Sequence, residues 1–202
     1  CRLEVDAVLL AGDVVDRDDD FFEAYGHLER GVRRLQEAGI RVVGVAGNHD
    51  IAVLPRLADA IDGFLLLGRG GHWEQTIIHG RTSTTCACIL GWSFPTSRVD
   101  FSPLETPDSR VVDTVARSPE VTIGLLHCDL DRVDSAHAPV SRRTLAMTGA
   151  DAWLLGHIHV PDRLDTARPV GYLGALTGLD PTETGTRGPW LVTVEDGGVS
   201  AR

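Results

Sequence analysis

Seven side chains in this sequence have the type and the placement to do metal or acid–base chemistry. Asp13 and Asp16 lie in GDVVDR (12–17), Asn48 and His49 in GNHD, His127 in HCD, and His157 and His159 in GHIH. Each stretch follows directly on an apolar run, and in open α/β sheets ligands collect outside the carboxyl ends of strands. Four such ends predict one shared edge. The donors are carboxylate, amide and imidazole, with no thiolate among them. That set suits manganese, iron or zinc rather than calcium or an iron–sulfur cluster.

Singly, each residue has a plainer reading. Asp13 after a glycine reads as a turn residue, and Asn48 after Gly47 as a left-handed turn residue. His127 reads as a hydrogen-bonded core histidine. His157 and His159 lie two apart, so on an extended strand they point the same way, as a ligand pair or as a coincidence of spacing. One Asp, one Asn and three His on four successive strand ends argue against coincidence.

The elements that must position them follow from periodicity. Residues 8–11 read as a short buried strand. Phe21, Tyr25, Leu28, Val32 and Leu35 then recur at helical spacing, with Asp18, Asp19 and Asp20 in front and Gly39 as the stop. Residues 40–46 read as a second buried strand, and strand–helix–strand makes a right-handed βαβ unit. A short helix is expected over 54–61, strands in QTIIHG and CACILGWSF, and a Pro- and Ser-rich loop leading to a helix over 108–117. Strand VTIGLLH, a helix over 141–148 and strands DAWLLGHIH, VGYLGA and PWLVTVEDG complete the chain.

Length and composition bound the rest. The 202 residues, 43% hydrophobic and 24% charged, predict one domain over 1–202 with a core of ordinary size. No apolar run approaches the roughly 18 residues that cross a membrane, and no leader opens the chain, so a cytoplasmic protein is expected. Cys1, Cys86, Cys88 and Cys128 lack the paired spacing of a zinc site and read as small hydrophobes in a reduced compartment. A net charge of −10 argues against attachment to nucleic acid by overall field. Metals or a partner would have to supply positive charge locally. Trp73, Trp92, Trp153 and Trp190 are scattered, as packing residues are, and His27, His72, His79 and His137 match no motif.

The ordered set GDxxDR, GNHD, a lone His after a strand and GHxH resembles the calcineurin-like metallophosphoesterases, over nearly the whole chain. The resemblance implies a four-layer α/β/β/α sandwich with mixed sheets. It also implies a dinuclear centre of two divalent cations, manganese first and iron or zinc as alternatives. Asp13 would bridge the cations, Asn48, His127 and His157 would complete the ligand set of the second cation, and His159 would bind the first cation. His49 would be the catalytic histidine acting on the leaving oxygen, with Asp16 orienting it. Arg17 would contact phosphate or pair with a neighbouring acid such as Asp16 or Asp18, and Asp50 would support the loop.

The family opens with an Asp-x-His motif that is absent here, because Asp6 immediately precedes the strand leading to Asp13. With Cys1 as first residue, this predicts a chain that begins inside a domain, lacking roughly one strand and one helix of a βαβ unit. The segment after GHIH, with Glu183, Gly185 and Gly188, is similar to the SbcD- and YhaO-like DNA-repair exonuclease branch. That branch implies a DNA exo/endonuclease working with an SMC-like ATPase, with DNA as substrate, no membrane, and room for a homodimer. A small-molecule phosphodiesterase or phosphatase on the same scaffold, and a catalytically inactive subunit, are the alternatives.

Overall fold

The computed structural model describes residues 4–109 and 121–202. Strands β1 (Ala7–Ala11), β2 (Arg41–Val45) and β3 (Phe64–Leu66) form a parallel sheet in that order. A second sheet runs β4 (Glu74–His79), β5 (Cys86–Trp92), β6 (Val121–His127), β7 (Ala152–Gly156) and β8 (Val170–Tyr172). Only its β4–β5 pair is antiparallel. Strands β9 (Val192–Glu195) and β10 (Gly198–Ala201) pair as an antiparallel hairpin.

Alternation along these strands sorts side chains into layers. Ala7, Leu9 and Ala11 of β1 and Val43 and Val45 of β2 face the second sheet. They pack there with Ala87 and Ile89 of β5, Ile123 and Leu125 of β6, and Leu154 of β7. The opposite residues Leu10 and Val42 face helices α1 (Phe21–Glu37) and α2 (Val53–Ala60). On the outer face of the second sheet, Leu90, Trp92, Leu126, Trp153 and Leu155 pack with Leu145 of α3 (Arg142–Met147). Each fully buried aliphatic side chain contributes roughly 1.5–3 kcal/mol. The order is helix, sheet, sheet, helix, as expected.

Helix α1 buries Phe21, Ala24, Leu28, Val32 and Leu35, and Tyr25 instead lies over Phe21 at the surface. It stops at Gly39, whose φ of +75° lets Gly39 N–H reach the Gln36 carbonyl and Ile40 N–H the Leu35 carbonyl. Asp18, expected in front of α1, serves α2: its Oδ1 accepts from the N–H groups of Ala52 and Val53 at 2.8 and 3.2 Å. Ser141 caps α3 by accepting from Thr144 N–H.

Two short strands, β3 and β10, add to the expected set, and β10 pairs with β9 of the last expected run as a hairpin. The helix expected over 108–117 falls mostly outside the described residues; its first two positions belong to the 3-10 turn Pro107–Ser109. The strand expected through GHIH ends early, at Gly156. The cysteines among the described residues are free thiols, and burial pushes Cys88 up to about 11. Trp73, Trp92 and Trp153 are buried in the outer core.

Candidate metal centre

Strands β1, β2, β6 and β7 end side by side, since β1 pairs with β2 and β6 with β7. Ser93, just beyond β5, ties the two sheets at this edge: its Oγ donates to the Leu67 carbonyl and accepts from Ala46 N–H at 2.8 Å. The glycines of the motifs permit the approach. A Cβ on Gly12 would stand 2.5 Å from His127 Nδ1, and one on Gly47 would strike the Asp13 carboxylate. One on Gly156 would meet the Ala11 carbonyl. Gly12 also holds φ +87°, followed by Asp13 at +50°.

His127 is fully buried and its tautomer follows from its partners. Nδ1 lies 3.0 Å from the Ala11 carbonyl, which only accepts, so Nδ1 carries the proton. Nε2 then presents a lone pair to Asp13 Oδ2 at 3.1 Å and to Asn48 Oδ1 at 3.0 Å. Facing acceptors are served by a cation between them, by a proton on the imidazole or, for the Asn48 contact, by an amide turned to present its NH2. A ring whose second nitrogen donates to a backbone carbonyl is the usual arrangement of a metal-ligating histidine. With a proton on that imidazole, the Asp13 carboxyl, although burial alone would raise it, is held below the usual carboxylate range by the hydrogen bond to His127 and the charge beside it. Asp13, His127 and His157 each offer a donor atom within 4.8 Å of the others. The donor set therefore fits a divalent transition metal.

His157 adopts φ +101°, a conformation that costs a bulky residue about 1–3 kcal/mol and is held only by its surroundings. Its ring centroid stands 5.1 Å from that of His127. Burial, with the neighbouring His127, lowers it to about 4, so it is neutral and able to ligate at pH 7. This turn separates the two histidines of GHIH, which do not share a strand face as expected. His159 lies outside the cluster, with Nδ1 2.6 Å from Glu183 Oε1. Arg187 donates to the His159 carbonyl and to that of Glu183.

His49 is exposed beside the cluster, its N–H donating to Asp13 Oδ1 at 3.0 Å. Its Nδ1 lies 3.1 Å from the main-chain carbonyl of Asp16. Asp16 thus meets His49 through its backbone and not through the expected carboxylate. The contact places the His49 proton on Nδ1 and leaves Nε2 open. Asp50 is buried and binds the two loops together, accepting from Val14, Val15 and Gly47 N–H groups. Burial, then the Asp13 charge, pushes it up to about 6. Arg17 is exposed and pairs with Asp19 at 2.9 Å, away from the expected Asp16 and Asp18.

Two residues that the sequence reading left without a role lie at the site. Asp129, two after His127, and His137, ten after it, join His157 in a second group of donors within 4.8 Å. The His-x-Asp spacing in HCD was the available signal for Asp129. His137 comes from a loop with no periodicity to announce it.

Comparison with known proteins identifies the family. The model of the calcineurin-like phosphoesterases matches residues 1–161. The chain is 29% identical to the uncharacterized metallophosphoesterase YhaO of Bacillus subtilis, over 98% of this chain and 48% of that protein. It is 31% identical to the DNA double-strand break repair protein Mre11 of Aeropyrum pernix, over 91% of this chain and 46% of that protein. The chain spans about half the length of these relatives. Among the described residues no helix is long and apolar enough to cross a membrane. The chain belongs to the calcineurin-like phosphoesterase family, whose members hydrolyse phosphoester bonds with divalent metals.

Proposed function

We propose that this chain is a metal-dependent phosphodiester hydrolase acting on DNA, within a DNA-repair assembly. The observation that carries the reading is the convergence of Asp13 Oδ2, Asn48 Oδ1 and His127 Nε2, with His157 beside them and His49 Nε2 open to solvent. The similarity to Mre11 supports DNA over a small phosphodiester.

Divalent cations held there would supply positive charge to activate water and to offset the phosphoryl oxygens. Asp13, Asn48, His127 and His157 would hold one cation. Asp13 with His159 would contribute to the other: Glu183 occupies His159 Nδ1, which orients the ring and leaves Nε2 free to ligate. In its imidazolium form, with Nδ1–H held by the Asp16 carbonyl, His49 would deliver its Nε2 proton to the leaving oxygen, a task suited to an imidazole near neutral pH. Arg17 serves phosphate only by leaving Asp19.

With 29 acids against 19 bases, the chain alone binds DNA weakly, and an SMC-like ATPase partner would supply the basic surface. The test is hydrolysis of single-stranded DNA and of a cyclic nucleotide, each with manganese, by the wild type and by His49→Ala. Manganese-dependent DNA cleavage lost in His49→Ala supports the proposal. Cleavage of the cyclic nucleotide alone points to a small-molecule phosphodiesterase. Absence of turnover on either substrate, with the metal demonstrably bound, refutes an enzymatic role for this chain.

A further inference from the structure

The second donor group, Asp129, His137 and His157, stands apart from every role given above to Asp129 and His137. Asp129 leaves β6 two residues after His127 and is 4% exposed. Its Oδ2 accepts the Ser135 hydroxyl at 2.5 Å, but its Oδ1 is buried without a hydrogen-bond partner. A buried carboxylate oxygen left unpaired costs several times what a hydrogen bond returns. The nearest nitrogen groups do not satisfy it. Arg132 Nε stands 3.9 Å away on an exposed side chain, and His157 Nε2 lies at 3.6 Å. His137 Nδ1 approaches the other oxygen at 3.6 Å, and the His137 and His157 ring centroids are 4.8 Å apart. Both carboxylate–imidazole gaps are too long for hydrogen bonds, and the three donors lie close enough together for one cation to reach each.

The loop that brings His137 here is firmly held. Asp129 N–H donates to the His137 carbonyl at 2.8 Å, and Val140 N–H to that of Asp129 at 3.0 Å. Val99 and His137 form an isolated parallel bridge, and Ser135 Oγ receives the His137 N–H. The ring is therefore presented by a braced backbone and remains 36% exposed, which gives a cation a route in.

From this we propose a further cation position, formed by Asp129, His137 and His157, that shares His157 with the Asp13–His127 position. Two imidazoles and one carboxylate suit zinc, cobalt or iron, with a coordination position left for water or a ligand. A neutral imidazole gives its lone pair to one cation, so the two positions compete for His157. The unusual φ of His157 places its ring between both carboxylates. The role of the position is to hold a cation next to the centre, from which His157 can pass it on.

The inference does not depend on the substrate, and its failure is separable from that of the proposed function. The experiment follows imidazole 15N resonances of the metal-free chain during titration with Zn2+. The expected result is a Zn2+-dependent shift of His137 and His157 that persists in Asp13→Asn. It disappears at His137 in Asp129→Asn, while His127 still responds. Loss of the His157 response in His137→Gln under the Asp13→Asn background gives the same conclusion without altering a buried residue. A His137 resonance unmoved while His127 and His157 shift overturns the position and leaves the proposed centre intact. A response at His137 with none at His127 upholds the position and overturns the centre. No response at any histidine overturns both.

Discussion

The two histidines of GHIH, two residues apart, sit in opposite kinds of surroundings. His157 is mostly buried between His127 and Asp129, neutral and fixed by a turn that only its surroundings sustain. His159 is 43% exposed and rests on Glu183, in a segment with little regular structure after β8. The buried side is assembled by four strand ends, three glycines and the Asp50 clamp, so its geometry precedes any ligand. The exposed side is set by one carboxylate and by Arg187, which is tied to the same segment. The difference teaches which half of the centre the fold itself imposes.

Breaking the buried side carries the largest effect. Asp13→Ala removes the carboxylate opposite His127 Nε2, and hydrolysis is expected to fall to background at every manganese concentration tried in a steady-state assay. His49→Ala leaves the donors in place, so turnover should drop by about 10²–10⁴ with metal affinity nearly unchanged in a titration. Loss of metal in that variant would make His49 a ligand.

Gly12→Ala tests the packing behind this side. Its methyl group meets His127 Nδ1 while the backbone is held at φ +87°, so a thermal melt should show a loss of about 1–3 kcal/mol at least. On the exposed side, Glu183→Gln keeps a hydrogen bond but removes the charge that orients His159. The metal concentration for half-maximal activity should rise by about tenfold, with some loss of stability because the buried Arg187 also faces this carboxylate. Arg17→Ala sharpens the contrast from the other end. Its pair with Asp19 is exposed at both partners, and stability and turnover should each stay near wild type.

Much of the buried side was legible in the sequence, because long apolar strands and the polar residues that end them obey one rule. The strands carrying Asp13, Asn48 and His127 match β1, β2 and β6 closely. The strand through GHIH did not continue, since period-two alternation assumes an extended backbone and His157 abandons it at φ +101°. Strands β3 and β10 were too short, at three and four residues, to show alternation against their loops. Asp129 and His137 meet through a loop closed by isolated bridges, a contact that no local pattern encodes. Asp16 was expected to orient His49 through its carboxylate, and its main-chain carbonyl is the partner instead, a distinction that sequence does not make.

The central claim is that Asp13, Asn48 and His127 face one another because a cation belongs between them. Calorimetric titration of the metal-free chain with Mn2+, beside the same titration of Asp13→Ala, tests it most directly. The account predicts saturable binding by the wild type and its loss, or a large weakening, in the variant. Equal binding by both chains, or none by the wild type, would contradict it.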